Sequence, residues 1–197
     1  QITSEGVAES VFTYNEPIVP DAVIRGGVEI EKWDIERDET KLKQGDATLA
    51  GAIFDIYNQG RNSVVVNGTE YAPGKVVHTI TTNAEGWAGT ANDLLPYSTY
   101  EIVERTSTIG MLNTGIIRQT FDITEHGVIV DLTASDKVIK NDVIRGGVYV
   151  EKWDNEIDEN RAQGGATLEG AVFEIINWSI DSVLVEGVLY APGEVVY

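Results

Sequence analysis

Apolar and polar residues alternate along this chain in short runs, and each run is broken within a few residues by Gly, Asn, Asp or Pro. A period of two places successive side chains on opposite faces of an extended backbone, so the pattern predicts strands and little or no helix. The runs are rich in Val, Ile, Thr and Tyr, which places strands over 27–33, 52–57, 63–66, 75–81, 100–105, 118–123, 128–132 and 137–141. Asn67-Gly68 predicts a tight hairpin turn, because both central positions of a type I′ turn need φ > 0. Ala72-Pro73-Gly74 predicts a second turn. Short strands at this spacing predict a β-sandwich.

The pattern also returns. Residues 23–78, opening VIRGGVEIEKWD and closing YAPGKVVH, recur with one deletion as 143–197, opening VIRGGVYVEKWD and closing YAPGEVVY. One unit is therefore about 120 residues long, the size of a domain and too long for a solenoid repeat. This divides the chain into 1–22, the end of a preceding unit with Val11–Asn15 as its last strand; 23–142, a complete unit; and 143–197, the opening part of the next. On that division 143–197 alone leaves an apolar sheet face open and its edges unpaired. Tandem copies suit a stalk, a fibre or a multivalent binder better than a catalyst.

Composition narrows the classes further. The formal charge of −18 disfavours phosphate backbones and anionic membranes, so nucleic acid is not an expected partner. The absence of cysteine excludes disulfides, thiolate metal sites and cysteine nucleophiles. No apolar run reaches the roughly 18 residues of a membrane span, so any anchor is expected outside this segment.

Strand parity puts three polar residues on the wrong face. Val28, Ile30 and Lys32 share one side of the first strand, while Glu29, Glu31 and Trp33 share the other. In Tyr100–Glu104 the inward set is Tyr100, Ile102 and Glu104, and in the last strand Asn141 lies on the side of Ile139. A lone buried ammonium or carboxylate costs several kcal/mol, so an inward Lys, Glu and Asn must be partners. Two chemistries are open to them. One is a buried ion pair with an amide bonded to it. The other is covalent: burial lowers an amine pKa and raises a carboxyl pKa, leaving a nucleophile and a proton donor beside an amide carbonyl.

The strand VEIEKWD, the following TLAGAIFDI, the Tyr-x-Ile-x-Glu of YEIVE and the closing IKN, in that order, resemble the Cna-B, or SpaA-type, domains of Gram-positive pilins and surface adhesins. The resemblance implies an all-β fold of tandem Cna-B-type, prealbumin-like or Ig-like β-sandwich domains. It also implies an isopeptide bond between Lys32 and Asn141 with Glu104 as the catalytic proton shuttle. Asn15 and Lys152 are then halves of the equivalent pairs in the neighbouring units. The chain departs from the family after Glu104, where it runs RTSTIGML, without Pro and with Met111 in place of the usual Tyr.

Other candidates carry less. The acidic stretches Asp34–Glu39 and Asp154–Asn160 offer oxygen ligands but lack the Gly and closing Glu of an EF-hand loop, and are expected to be solvated. His78 and His126 are isolated, and Trp33 and Trp153 fall on the outward face. No metal and no cofactor is called for. The function expected is a structural stalk repeat of an extracellular, cell-wall-anchored adhesin or pilus-like protein, not an enzyme acting on an external substrate. Its partners would be adjacent repeats of the same chain. The alternative is a binding module whose loops recognise a host surface protein or glycan.

Overall fold

The computed structural model describes residues 20–37, 42–113, 118–134, 136–157 and 160–197. Val11–Asn15, and with it Asn15, lie outside them. All the regular structure is strand: β1 (Arg25–Asp34), β2 (Ile53–Asn58), β3 (Val64–Val66), β4 (Thr69–Tyr71), β5 (Val76–Thr81), β6 (Trp87–Gly89), β7 (Leu95–Pro96), β8 (Ser98–Thr106), β9 (Arg118–Ile123), β10 (Ile129–Leu132), β11 (Ile139–Asn141), β12 (Val183–Val185) and β13 (Val188–Tyr190). No described helix is long and apolar enough to cross a membrane.

Two sheets form the sandwich. One is antiparallel, in the order β5-β2-β8-β9; the other is built around β1. There β1 pairs parallel with β10 (Val28 opposite Val130) and then with β11 (Lys32 opposite Ile139), and antiparallel with β6 and β7. The two sheets bury alternate residues of their strands against each other, including Val28 and Ile30 of β1, Phe54 and Ile56 of β2, Tyr100 and Ile102 of β8, and Ile139 of β11. Tyr100 stacks on Phe121 and donates its hydroxyl to the carbonyl of Pro96 at 2.8 Å, which satisfies the one polar group of a wholly buried ring.

Local chemistry sets the turns. Asn67 and Gly68 join β3 to β4 at φ of 48° and 78°, as a type I′ hairpin requires, and Glu186-Gly187 repeat the turn between β12 and β13. The paired glycines of VIRGG have a different purpose. A Cβ on Gly26 would lie 2.7 Å from the Val128 carbonyl oxygen, and one on Gly27 only 2.5 Å from that of Ala91. Only bare backbone lets β1 fit between its neighbours here.

The structure adds three short strands, β4, β6 and β7, that the pattern does not predict. Runs of two or three residues, one holding Pro96, are too short to display a period. Two placements go beyond what parity shows. Trp33 points away from the sandwich core as parity requires, yet it is 6% exposed, because the Lys140 ammonium of β11 covers its ring at 5.5 Å from the centroid. The first strand of the second copy is absent: residues 144–153, Lys152 included, carry no strand, and Lys152 is exposed. No described strand pairs with this segment as β6, β10 and β11 pair with β1. Apolar residues of this copy, such as Val148 and Phe173, are accordingly exposed.

Gly27→Ala is expected to lower stability by about 1–3 kcal/mol through backbone overpacking, read as a lower urea midpoint. Gly68→Ala, whose Cβ meets nothing within 4 Å but whose φ is +78°, should cost about 1 kcal/mol by strain alone.

Candidate functional site

Three elements bring the inward polar residues together. Lys32 comes from the end of β1, Glu104 from β8 in the facing sheet, and Asn141 from the end of β11 beside β1. They are 0%, 3% and 1% exposed, which removes solvent as a partner for any of them. Lys32 Nζ donates to Glu104 Oε1 at 2.8 Å, and Asn141 Nδ2 donates to Glu104 Oε2 at 2.9 Å. One carboxylate thus holds the amine with one oxygen and the amide with the other.

Two further groups complete the site. The Leu112 carbonyl accepts from Asn141 Nδ2 at 2.9 Å, and because a carbonyl can only accept, it fixes which end of the amide faces inward. Ser107 Oγ lies 3.4 Å from Lys32 Nζ and 3.1 Å from Asn141 Nδ2, in contact with both nitrogens. Asn141 Oδ1 is buried without a hydrogen-bond partner. A structural amide normally satisfies both ends, whereas this one is satisfied at its nitrogen alone.

Burial pushes the Lys32 pKa down, and the hydrogen bond and charge of Glu104 oppose that shift without cancelling it. The sandwich therefore holds an amine that gives up its proton more readily than a surface lysine. Once it gives up that proton, the amine stands against a carboxamide with a carboxylate touching both, an arrangement equipped for acyl transfer within the chain.

The sequence pattern places Lys32, Glu104 and Asn141 on inward faces, and the structure brings all three into one cluster. It does not bring Lys152 to any such site, and Asn15 is not described. Ser107 and Leu112 were not legible in the pattern: both lie in the loop after β8, where no period applies. The only signal was the departure at RTSTIGML. That loop turns at Gly110, φ 80°, where a Cβ would sit 2.8 Å from Ala47, and it buries Met111 against Ala47 and Leu49.

In the acidic stretch Asp34–Glu39, Asp34 closes β1, Glu36 is exposed, and Asp38 and Glu39 lie outside the described residues. Asp34 is wholly buried, and Gln44 donates to both Asp34 Oδ2 (2.9 Å) and Glu36 Oε2 (2.6 Å), so these carboxylates are already tied. Among the described residues no group of three or more His, Cys, Asp or Glu could hold a metal ion. His78 is half-buried on β5, and His126 accepts the backbone N–H of Arg25 at 3.3 Å.

Residues 27–138 match the family model described as SpaA, prealbumin-like fold domain. The chain belongs to this family. The match spans β1 to the approach to β11, so it contains Lys32 and Glu104 and stops just short of Asn141. Comparison with curated proteins finds no match. Among solved structures the chain is similar to the Bacillus anthracis TIE protein, at 23% identity and a TM-score of 0.44 over 61% of this chain and 18% of that one. It is also similar to GBS52, the minor pilin of Streptococcus agalactiae, at 19% identity and 0.41 over 66% of this chain and 49% of that one. A third is the group B streptococcus pilus 2b backbone protein, at 19% and 0.41 over 60% and 41%. The chain spans less than half the length of each of these proteins.

The lowered Lys32 pKa makes stability depend on pH wherever the amine stays free. Asn141→Ala leaves it so. Between the folded and the unfolded pKa of Lys32 the unfolded chain binds more protons, so stability rises with pH through that window and is lost as pH falls. Urea denaturation of Asn141→Ala is expected to show a rise toward the ordinary lysine range of at most about 1.4 kcal/mol per pH unit, and Lys32→Met in the same background should abolish it.

Proposed function

We propose that this unit is a structural stalk domain of a Gram-positive cell-surface adhesin or pilus-like protein, locked by an isopeptide bond that Lys32 and Asn141 form with Glu104 as catalyst. The observation that carries this reading is the single buried carboxylate bonded to both the amine and the amide.

The step balances within the site. Lys32 Nζ attacks Asn141 Cγ, the Nζ–Cγ bond forms and the Cγ–Nδ2 bond breaks. Glu104 accepts a proton from Nζ on the Oε1 side and returns one to Nδ2 from the Oε2 side, so Nδ2 leaves as ammonia and the carboxylate is regenerated. Ser107 Oγ, touching both nitrogens, steadies the same transfer. The chemistry turns over once, on the protein itself.

The topology gives the bond a mechanical purpose. β1 and β11 run parallel, so the chain enters at one end of the sheet and leaves at the other. With Lys32 joined to Asn141, tension passes along β1, through the bond and out of β11. The roughly 110 residues between are bypassed. Treated as a closed loop of that length, the cross-link stabilises by about 5 kcal/mol through the unfolded state, in a chain with no cysteine to supply a disulfide.

Intact-mass measurement of the chain tests this. The expected mass is below the sequence mass by one ammonia, with a Lys32–Asn141 linked peptide after digestion; the full sequence mass would overturn the reading. Lys32→Ala, Asn141→Ala and Glu104→Ala should each retain the whole mass. Ser107→Ala should still form the bond, about tenfold more slowly when nascent chains are followed in time, consistent with losing about 1–1.5 kcal/mol of hydrogen bonding.

A further inference from the structure

The residues around the boundary between the two copies are bonded across it. The connecting backbone is paired first: Leu112 N–H donates to the Asp142 carbonyl at 2.7 Å and Ile144 N–H to that of Gly110 at 2.8 Å, forming an antiparallel bridge of Met111 with Val143. Val143 packs onto the small cluster of Ala47, Leu49 and Met111. The segment that joins the copies is thus fastened to the first.

Beyond it, a loop of the first copy meets a turn of the second. Gly45 N–H donates to the Ser182 carbonyl at 3.1 Å, and Asp181 N–H donates back to the Gly45 carbonyl at 3.2 Å. Asp46 Oδ1 accepts from Ile180 N–H at 2.9 Å, Gln44 Oε1 accepts from Leu184 N–H at 2.8 Å, and Lys43 pairs with Asp181 at 2.9 Å. Arg145 spans the boundary, bonding Glu36 of the first copy and the Leu184 carbonyl of the second. Gly45 suits the contact twice: its φ is +56°, and a Cβ there would stand 3.3 Å from Val183.

The local frame of each half recurs on both copies, but its charged side chains do not: Lys43 and Asp46 correspond to Ala162 and Gly165, and Asp181 corresponds to Asn62. Gln163 bonds Asp154 and Glu156 as Gln44 bonds Asp34 and Glu36. On the other side, Asn58 holds its turn through the carbonyls of Asn62 and Tyr71 as Asn177 does through those of Asp181 and Tyr190. Arg25 reaches the Val65 carbonyl as Arg145 reaches that of Leu184. The mating surfaces differ from each other, so the contact is heterologous and sets the two copies head to tail.

We propose that the 43–46 loop of the first copy and the 177–184 turn of the second form a built joint, which fixes these two copies head to tail in place of a flexible tether. The joint does not depend on the isopeptide bond, and its test reads a different quantity.

Amide hydrogen exchange of the full chain decides it, with Phe54 and Ile102 as core reference amides. In the unmodified chain Gly45, Asp181 and Leu184 are expected to exchange at least about tenfold more slowly than unstructured amides. Lys43→Asp should speed Asp181 and Gly45 about three- to tenfold with the core unchanged, and Lys43→Asp with Asp181→Lys should restore the slow rates. Gln44→Ala should release Leu184. Unprotected amides at Gly45 and Leu184 in the unmodified chain, or no response to Lys43→Asp, would overturn the joint whatever the mass of the chain shows.

Discussion

Everything distinctive in this domain follows from the burial of one ammonium group. Lys32 occupies a core position on the central strand of its sheet, where an unpaired charge would cost more than the fold can spare. Glu104 meets it from the facing sheet, so the ion pair also clamps the two layers at one end. Asn141 then takes the second carboxylate oxygen, and Leu112 orients the amide. Each group is needed because the one before it is there.

Such a cluster is a poor way to stabilise a core if it stays ionic. Apolar replacements of similar volume often do as well or better, and a half-removed pair is worse than either. On the proposed reading a covalent bond takes over from the ion pair. Conversion of amine and carboxamide to a secondary amide deletes the buried ammonium and leaves Glu104 as an acceptor for the new N–H. On the proposed reading the polar core is a precursor, and the finished core is the linked one.

Strand parity made Lys32, Glu104 and Asn141 legible because all three lie on strands whose alternation is enforced by burial. The same rule placed Trp33 on the far face of β1, and it was right about the direction. It could not show that Lys140, on a strand more than a hundred residues later, would cover the ring. Ser107 and Leu112 reach the site by the closure of a loop, and loops have no period to read. The strands β6 and β7 were missed for a related reason: they exist because β1 offers them hydrogen bonds, not because their own residues demand it. Residues 144–153, Lys152 included, nearly repeat β1 in sequence and yet carry no strand.

The packing of Val143 beneath Met111 bears on the order in which the protein is made. The apolar cluster at the leading end of one copy is completed by a residue that belongs, by sequence, to the next. During synthesis from the N-terminus, a copy can close its sandwich once Asn141 has emerged, but it cannot finish that end until the first residues of its successor follow. In this chain the cluster is closed by a residue that follows Asn141, so its packing is completed only after the strand that carries Asn141.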